Sequence, residues 1–225
     1  GLGDVYKRQI NNNIMNKQTF LTLLATFALL FSFTFSCHAK GKDKAKHVVF
    51  IGLDGWGAYS LPKADMPNVK KLMEDGAYTL KKRSALPSSS AINWASMFMG
   101  AGPELHGYTE WGSKTPELPS RVLNKNGIFP TVFQLLRDAR PEAEIGCLYE
   151  WEGIKYLVDT LSLSYHYHVA DCNKTPKELG NMASSYIKEK HPALVAICYD
   201  GPDHTGHTAG HDTPEYYEKL KELDM

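Results

Sequence analysis

Three groups of residues in this chain have the types and spacing of a reactive centre. The first is Ser88-Ser89-Ser90 with Asn93, set behind Pro87 and running into the apolar stretch Ala91 to Met99. That order predicts a loop entering a helix, which Gly100 and Gly102 close. A hydroxyl there lies among unpaired backbone N–H groups at the positive end of a helix dipole, which attract phosphate-like anions. Ser90 and Asn93 share one face of the first turn. A nucleophilic hydroxyl beside an amide donor suits attack on a phosphoryl centre. Taken alone, the stretch also reads as a plain N-cap in which one serine bonds a free backbone N–H. The second group is Asp54, directly behind an apolar run. The third is Asp200, Asp203, His204, His207 and His211, behind another. Asp203 and His207 stand four apart, and carboxylate with imidazole suits zinc or manganese. Singly, Asp54 before Gly55 reads as a turn residue and the histidines as a solvated loop.

What must position these groups is a pair of strands. His47 to Leu53 and Ala193 to Tyr199 are continuous apolar runs of strand length, as expected of parallel strands covered on both faces. Parallel strands put their carboxyl ends on one side, where open α/β sheets bind ligands, so Asp54, Asp200 and Asp203 are expected to converge. Pro67 to Gly76, Thr131 to Ala139 and Thr175 to His191 read as helices; in the second, Val132, Leu135 and Leu136 fall on one side. Tyr78 to Leu86 is expected as a strand, Ile145 to Tyr149 as another, and Asp200 to His207 as a loop. Glu150 to Val169 gives no clear pattern. Thr213-Pro214-Glu215 opens a last helix. Alternating helices and strands predict an α/β fold, a doubly wound and mostly parallel central sheet with helices on both faces.

Formal net charge is +0 over 225 residues, which argues against bulk attraction to nucleic acid or anionic membranes. Residues 1–14 include Asp4-Val5-Tyr6-Lys7-Arg8-Gln9, which looks like translated sequencing adapter; Met15 is the expected start. From there Lys17, the apolar run Phe20 to Phe35 and Cys37-His38-Ala39 predict a signal peptide over 15–39, cleaved after Ala39, and a periplasmic or secreted domain. An uncleaved anchor and a lipid on Cys37 are the alternatives. Lys40 to Lys46 reads as a linker, and 47–225 as a folded domain that stops at Met225 within a helical pattern, as the first part of a longer one would. After cleavage three cysteines remain, Cys147, Cys172 and Cys198, with no Cys-x-x-Cys knuckle.

Asp54 behind its strand, Ser90-x-x-Asn93, Gly100-x-x-Pro103-x-x-His106-Gly107 and Asp203-x-x-x-His207 together resemble the alkaline phosphatase superfamily, in its type I phosphodiesterase and nucleotide pyrophosphatase branch. The resemblance implies an α/β/α phosphoric ester hydrolase with two divalent metal ions, zinc above all, and a small phosphate ester substrate. Nucleic acid is not expected as a partner beyond nucleotides. By the same resemblance Ser90 is the nucleophile and also a metal ligand, Asp54 joins it on one metal, Asp203 and His207 bind the other, and Asn93 steadies a phosphoryl oxygen. Trp94 stands where the branch commonly has histidine, Met99 where it commonly has threonine, and serine at position 90 is the phosphomonoesterase habit. A phosphomonoesterase, a phosphoethanolamine transferase and a non-catalytic envelope binding protein are the alternatives. The sulfatase signature Cys-x-Pro-x-Arg is absent around Ser90. The branch's Ser-Asp-His-Gly segment and later histidine are not in this chain, and are expected beyond Met225.

Overall fold

The computed structural model describes residues 45–170 and 176–225. The leader, the cleavage site and Cys172 lie outside the described residues. From Lys46 to Met225 the chain forms one unit, whose first helix, α1, is Pro67–Asp75.

Four parallel strands make its sheet, in the order β1-β4-β2-β3: β1 Val48–Leu53, β2 Ile145–Tyr149, β3 Tyr165–His168 and β4 Leu194–Tyr199. β1 and β4 pair in register from Val48 opposite Leu194 to Leu53 opposite Tyr199. Side chains alternate across the sheet. Cys147, Tyr149, Leu194, Ala196 and Cys198 face one layer, which holds helix α2 (Ser90–Met99) and helix α4 (Val132–Ala139). Leu148, Val195 and Ile197 face the other, which holds helix α5 (Pro176–Lys190) through Leu179, Ala183 and Tyr186. The described sheet is therefore parallel and carries helices on both faces.

Four local expectations change. Tyr78 to Leu86 is not a strand: it is irregular and exposed except at Ala85. Its Lys81-Lys82-Arg83 run has no apolar face to bury. β1 is not covered on both faces among the described residues. It lies at the sheet edge, and Ile51 is 57% exposed. In α4 the buried side is Phe133 and Gln134, with Leu136 partly buried, while Val132 and Leu135 are exposed. Asp200 to His207 is not a loop. It begins helix α6, Gly201–Ala209, with Pro202 in the first turn, where a missing N–H matters least. Glu150 to Val169 resolves into two short 3-10 turns and β3.

The Gly100 to Gly107 motif turns out to be architectural. Gly100 ends α2 in the left-handed conformation, and Pro103 opens the short helix α3, Pro103–His106. His106 is fully buried. Its Nδ1 accepts the Tyr108 N–H at 3.1 Å, so Nε2 carries the proton and donates to Ser96 Oγ at 3.0 Å. Ser96 Oγ in turn donates to the Ile92 carbonyl. Burial lowers the His106 pKa, against a smaller opposing pull from Glu104, so the ring is a neutral core group. Gly107 has φ +85°, and a Cβ there would stand 2.1 Å from the Leu118 carbonyl oxygen. Gly107→Ala should therefore cost more than about 1 kcal/mol. A lower denaturant midpoint at unchanged m-value would register the loss; an unchanged midpoint would contradict it.

Candidate active site

Asp54 leaves β1 at its carboxyl end, and its N–H donates to the Tyr199 carbonyl of β4 at 2.9 Å. The strand pairing thus carries through to the residue that bears the carboxylate. Gly55 follows with φ +66°, and a Cβ on it would stand 2.5 Å from Asp203 Cα. Only glycine lets the first turn of α6 press against the tip of β1. Tyr216, on helix α7 (Pro214–Asp224), locks the turn: its hydroxyl donates to the Gly55 carbonyl at 2.8 Å and accepts the Gly57 N–H at 3.2 Å.

The acids from the two strand ends are close enough to feel one another. Burial, then the charges of Asp54 and Asp203, push the Asp200 carboxyl up to about 6. Burial, then Asp54, raises Asp203, against opposing pulls from His207, His211 and His204. His207 lies one turn after Asp203, and its Nε2 is 3.4 Å from Asp203 Oδ2. Its side chain is 77% exposed, so the imidazole stands at the mouth rather than in the core. A small opening at this edge is lined by Asp54, Trp94, Trp151, Ile154, Cys198, Tyr199 and Asp200.

The serine stretch joins this edge through α2. Ser89 is the N-cap residue and Ser90 the first helical one, behind a cis Leu86–Pro87 peptide. Ser89 makes no capping bond, and its buried Oγ has no hydrogen-bond partner. The plain cap reading thus lacks its bond at this residue. One turn after Ser90, Trp94 donates its indole N–H to Asp54 Oδ2 at 2.9 Å. The Asn93 amide is engaged with the backbone that precedes α2. Its Oδ1 accepts the Ala85 N–H at 2.7 Å, while Nδ2 donates to the carbonyls of Ala85 and Ser89. The side chain holds the strap that delivers the serines.

Two residues were not anticipated. Trp94 is one; no periodicity announces an indole's polar partner. Glu150 is the other, although its signal equals that of Asp54: an acid directly behind an apolar strand. Glu150 is 5% exposed. Its Oε2 accepts the N–H groups of Asp200 and Gly201 at 2.7 and 3.2 Å, holding the start of α6, while Oε1 is buried without a partner.

The donor chemistry here, carboxylates crowded to mutual repulsion beside imidazole, fits a divalent cation. The fit is one of chemical kind: among the described residues no three His, Cys, Asp or Glu side chains are grouped to hold a metal ion.

The family model for type I phosphodiesterase/nucleotide pyrophosphatase matches residues 48–225. The chain belongs to that family. Among solved structures, murine ectonucleotide pyrophosphatase/phosphodiesterase 5, inactive and in complex with AMP, is similar at TM-score 0.62 and 17% identity, over 80% of this chain and 50% of that one. The human protein of the same name gives TM-score 0.59 and 14% identity, over 79% and 49%. Phosphonoacetate hydrolase from Sinorhizobium meliloti 1021, with phosphonoformate, gives 0.57 and 19%, over 79% and 51%. The chain therefore spans about half the length of these structures, and the likeness is one of fold. No curated protein sequence matches the chain. Among the described residues, no helix is long and apolar enough to cross a membrane.

Glu150 gives this edge a pH dependence of its own. Burial pushes its carboxyl from 4.5 up to about 7, against the two backbone N–H groups that favour the charge. The folded protein then binds this proton more tightly than the unfolded chain, so the group's contribution to stability falls as pH rises from about 4.5 to 7. Glu150→Gln removes the charge and keeps an acceptor. In metal-free protein its Tm relative to wild type should be higher at pH 8 than at pH 4.5. A difference that does not move with pH would contradict the assignment.

Proposed function

We propose that this chain carries part of the catalytic centre of a metal-dependent phosphoric ester hydrolase of the phosphodiesterase and nucleotide pyrophosphatase type. The observation that supports it most is the meeting of Asp54 and the Asp203 helix at one sheet edge, in a chain of this family. In the proposed centre Asp54, Ser90, Asp203 and His207 hold two divalent ions, with zinc as the favoured metal. When bound, the cations lower the pKa of the serine hydroxyl and stabilise negative charge on the transferring group.

The chain's own residues then do the following. Ser90 Oγ forms a bond to phosphorus as its proton is lost to solvent. The bond from phosphorus to the leaving oxygen breaks, and that oxygen is released as an alcohol or a phosphate. Water next attacks the phosphoseryl group, the Ser90 O–P bond breaks, and the hydroxyl is restored. Asn93 serves by holding Ala85 and Ser89, and through them the serine strap. The substrate is a small phosphate ester. AMP and phosphonoformate, bound by two proteins of like fold, are ligands of that size and charge. The working compartment is periplasmic or extracellular, as the leader sequence suggests.

Ser90→Ala and Asp203→Ala separate the two parts of this reading in the full-length protein. Ser90→Ala should abolish hydrolysis of a nitrophenyl phosphodiester and still bind metal. Asp203→Ala should bind less zinc, measured by elemental analysis after dialysis. Full activity in the first variant, or unchanged zinc stoichiometry in the second, would remove that residue from its role.

A further inference from the structure

Trp94 stands in the middle of α2, 3% exposed, its ring 6.4 Å from that of Phe50 and 5.6 Å from that of Phe98. It is not only a core residue. The far edge of the indole lies across β1 at Gly52, where an added Cβ would come within 2.4 Å of the ring. The strand carries no side chain where the indole crosses it. On the way out of the core, Nε1–H reaches the strand tip and meets Asp54 Oδ2 at 2.9 Å. The other oxygen, Oδ1, accepts the Gly55 N–H, also at 2.9 Å. Each carboxylate oxygen is thus held by one fixed donor, which sets the plane of the group and the directions left for other partners.

We infer that Trp94, admitted by Gly52, is the positioning residue for Asp54 and sets the affinity with which that carboxylate binds a cation. The inference rests on the reading of Asp54 as a metal ligand. Partners of this kind orient ligating groups, and their loss weakens metal binding about 10- to 100-fold. A tryptophan needed only for packing would be replaceable by another large aromatic ring. One needed for its N–H would not. Phenylalanine separates the two, because it keeps an aromatic ring among Phe50, Phe98 and Phe133 and removes the donor.

The test uses metal-free full-length protein, wild type and Trp94→Phe, titrated with zinc alone by calorimetry, with circular dichroism to confirm folding. The zinc Kd should rise about ten-fold or more in the variant. Gly52→Ala, which displaces the indole without removing a polar group, should move the Kd the same way. Zinc binding by folded Trp94→Phe at wild-type affinity would overturn the inference. A second readout needs neither metal nor turnover. The Trp94 Nε1–H proton, followed by NMR in metal-free protein, should exchange slowly in wild type and faster in Asp54→Ala. Equal exchange in the two would also overturn it. Should wild type bind no zinc, the metal reading falls instead, and the exchange measurement still decides whether the indole holds Asp54.

Discussion

The in-register parallel pairing of Val48–Leu53 with Leu194–Tyr199 is the constraint on which this molecule depends. It ends with Leu53 opposite Tyr199, and the Asp54 N–H extends it by one more bond to the Tyr199 carbonyl. Two acids distant in sequence are thereby set behind adjacent strand ends. A slip of one residue would turn every side chain of a strand to the opposite face. Phe50 would leave the aromatic layer, Gly52 would leave the path of the indole, and Asp54 would lose its donor. Register is thus enforced by the fit of Phe50, Gly52 and Trp94, and not by backbone bonds alone.

Around that pairing, carboxylates are gathered at a site where burial works against their charge. Asp200 and Glu150 both hold protons more tightly than free carboxyls do, and burial is the largest cause for each. Folding has thus gathered negative charge at an edge where it is unfavourable until something positive offsets it. Backbone donors meet part of that need: Asp200 and Gly201 N–H at Glu150, and Gly55 N–H at Asp54. In the proposed centre these acids would act by holding cations, whose positive charge is what a transferring phosphoryl group needs.

The elements and the acids behind the strands were readable because a buried parallel strand leaves an unbroken apolar run, and Asp54 and Asp200 break the runs at their ends. Other features were hidden for physical reasons. Gly201-Pro202 and Gly206 read as turn residues, yet proline in the first turn begins a helix, so the composition of α6 is that of a loop. Tyr78 to Leu86 has the composition of a strand only at its ends, and among the described residues no strand pairs with it. The spacing of Val132 and Leu135 suggested a buried face that Phe133 occupies instead, the bulkier ring taking the core position. Glu150 carries the same signal as Asp54, but the aromatic residues that follow it blur the end of its strand. Asn93 lies on the same helix turn as Ser90, as its spacing required. The direction of its amide, back toward Ala85 and Ser89, depends on the path of an irregular strap that no periodicity describes.

In the proposed centre, acids from separate strand ends and a serine hydroxyl share one pair of cations. Anomalous diffraction at the zinc edge, from crystals of the full-length protein grown with zinc, tests it most directly. Two peaks are expected at the carboxyl edge of the sheet, with Asp54, Ser90, Asp203 and His207 among their ligands. Peaks elsewhere on the molecule, or ions at that edge that leave Ser90 and Asp54 uncoordinated, would contradict it.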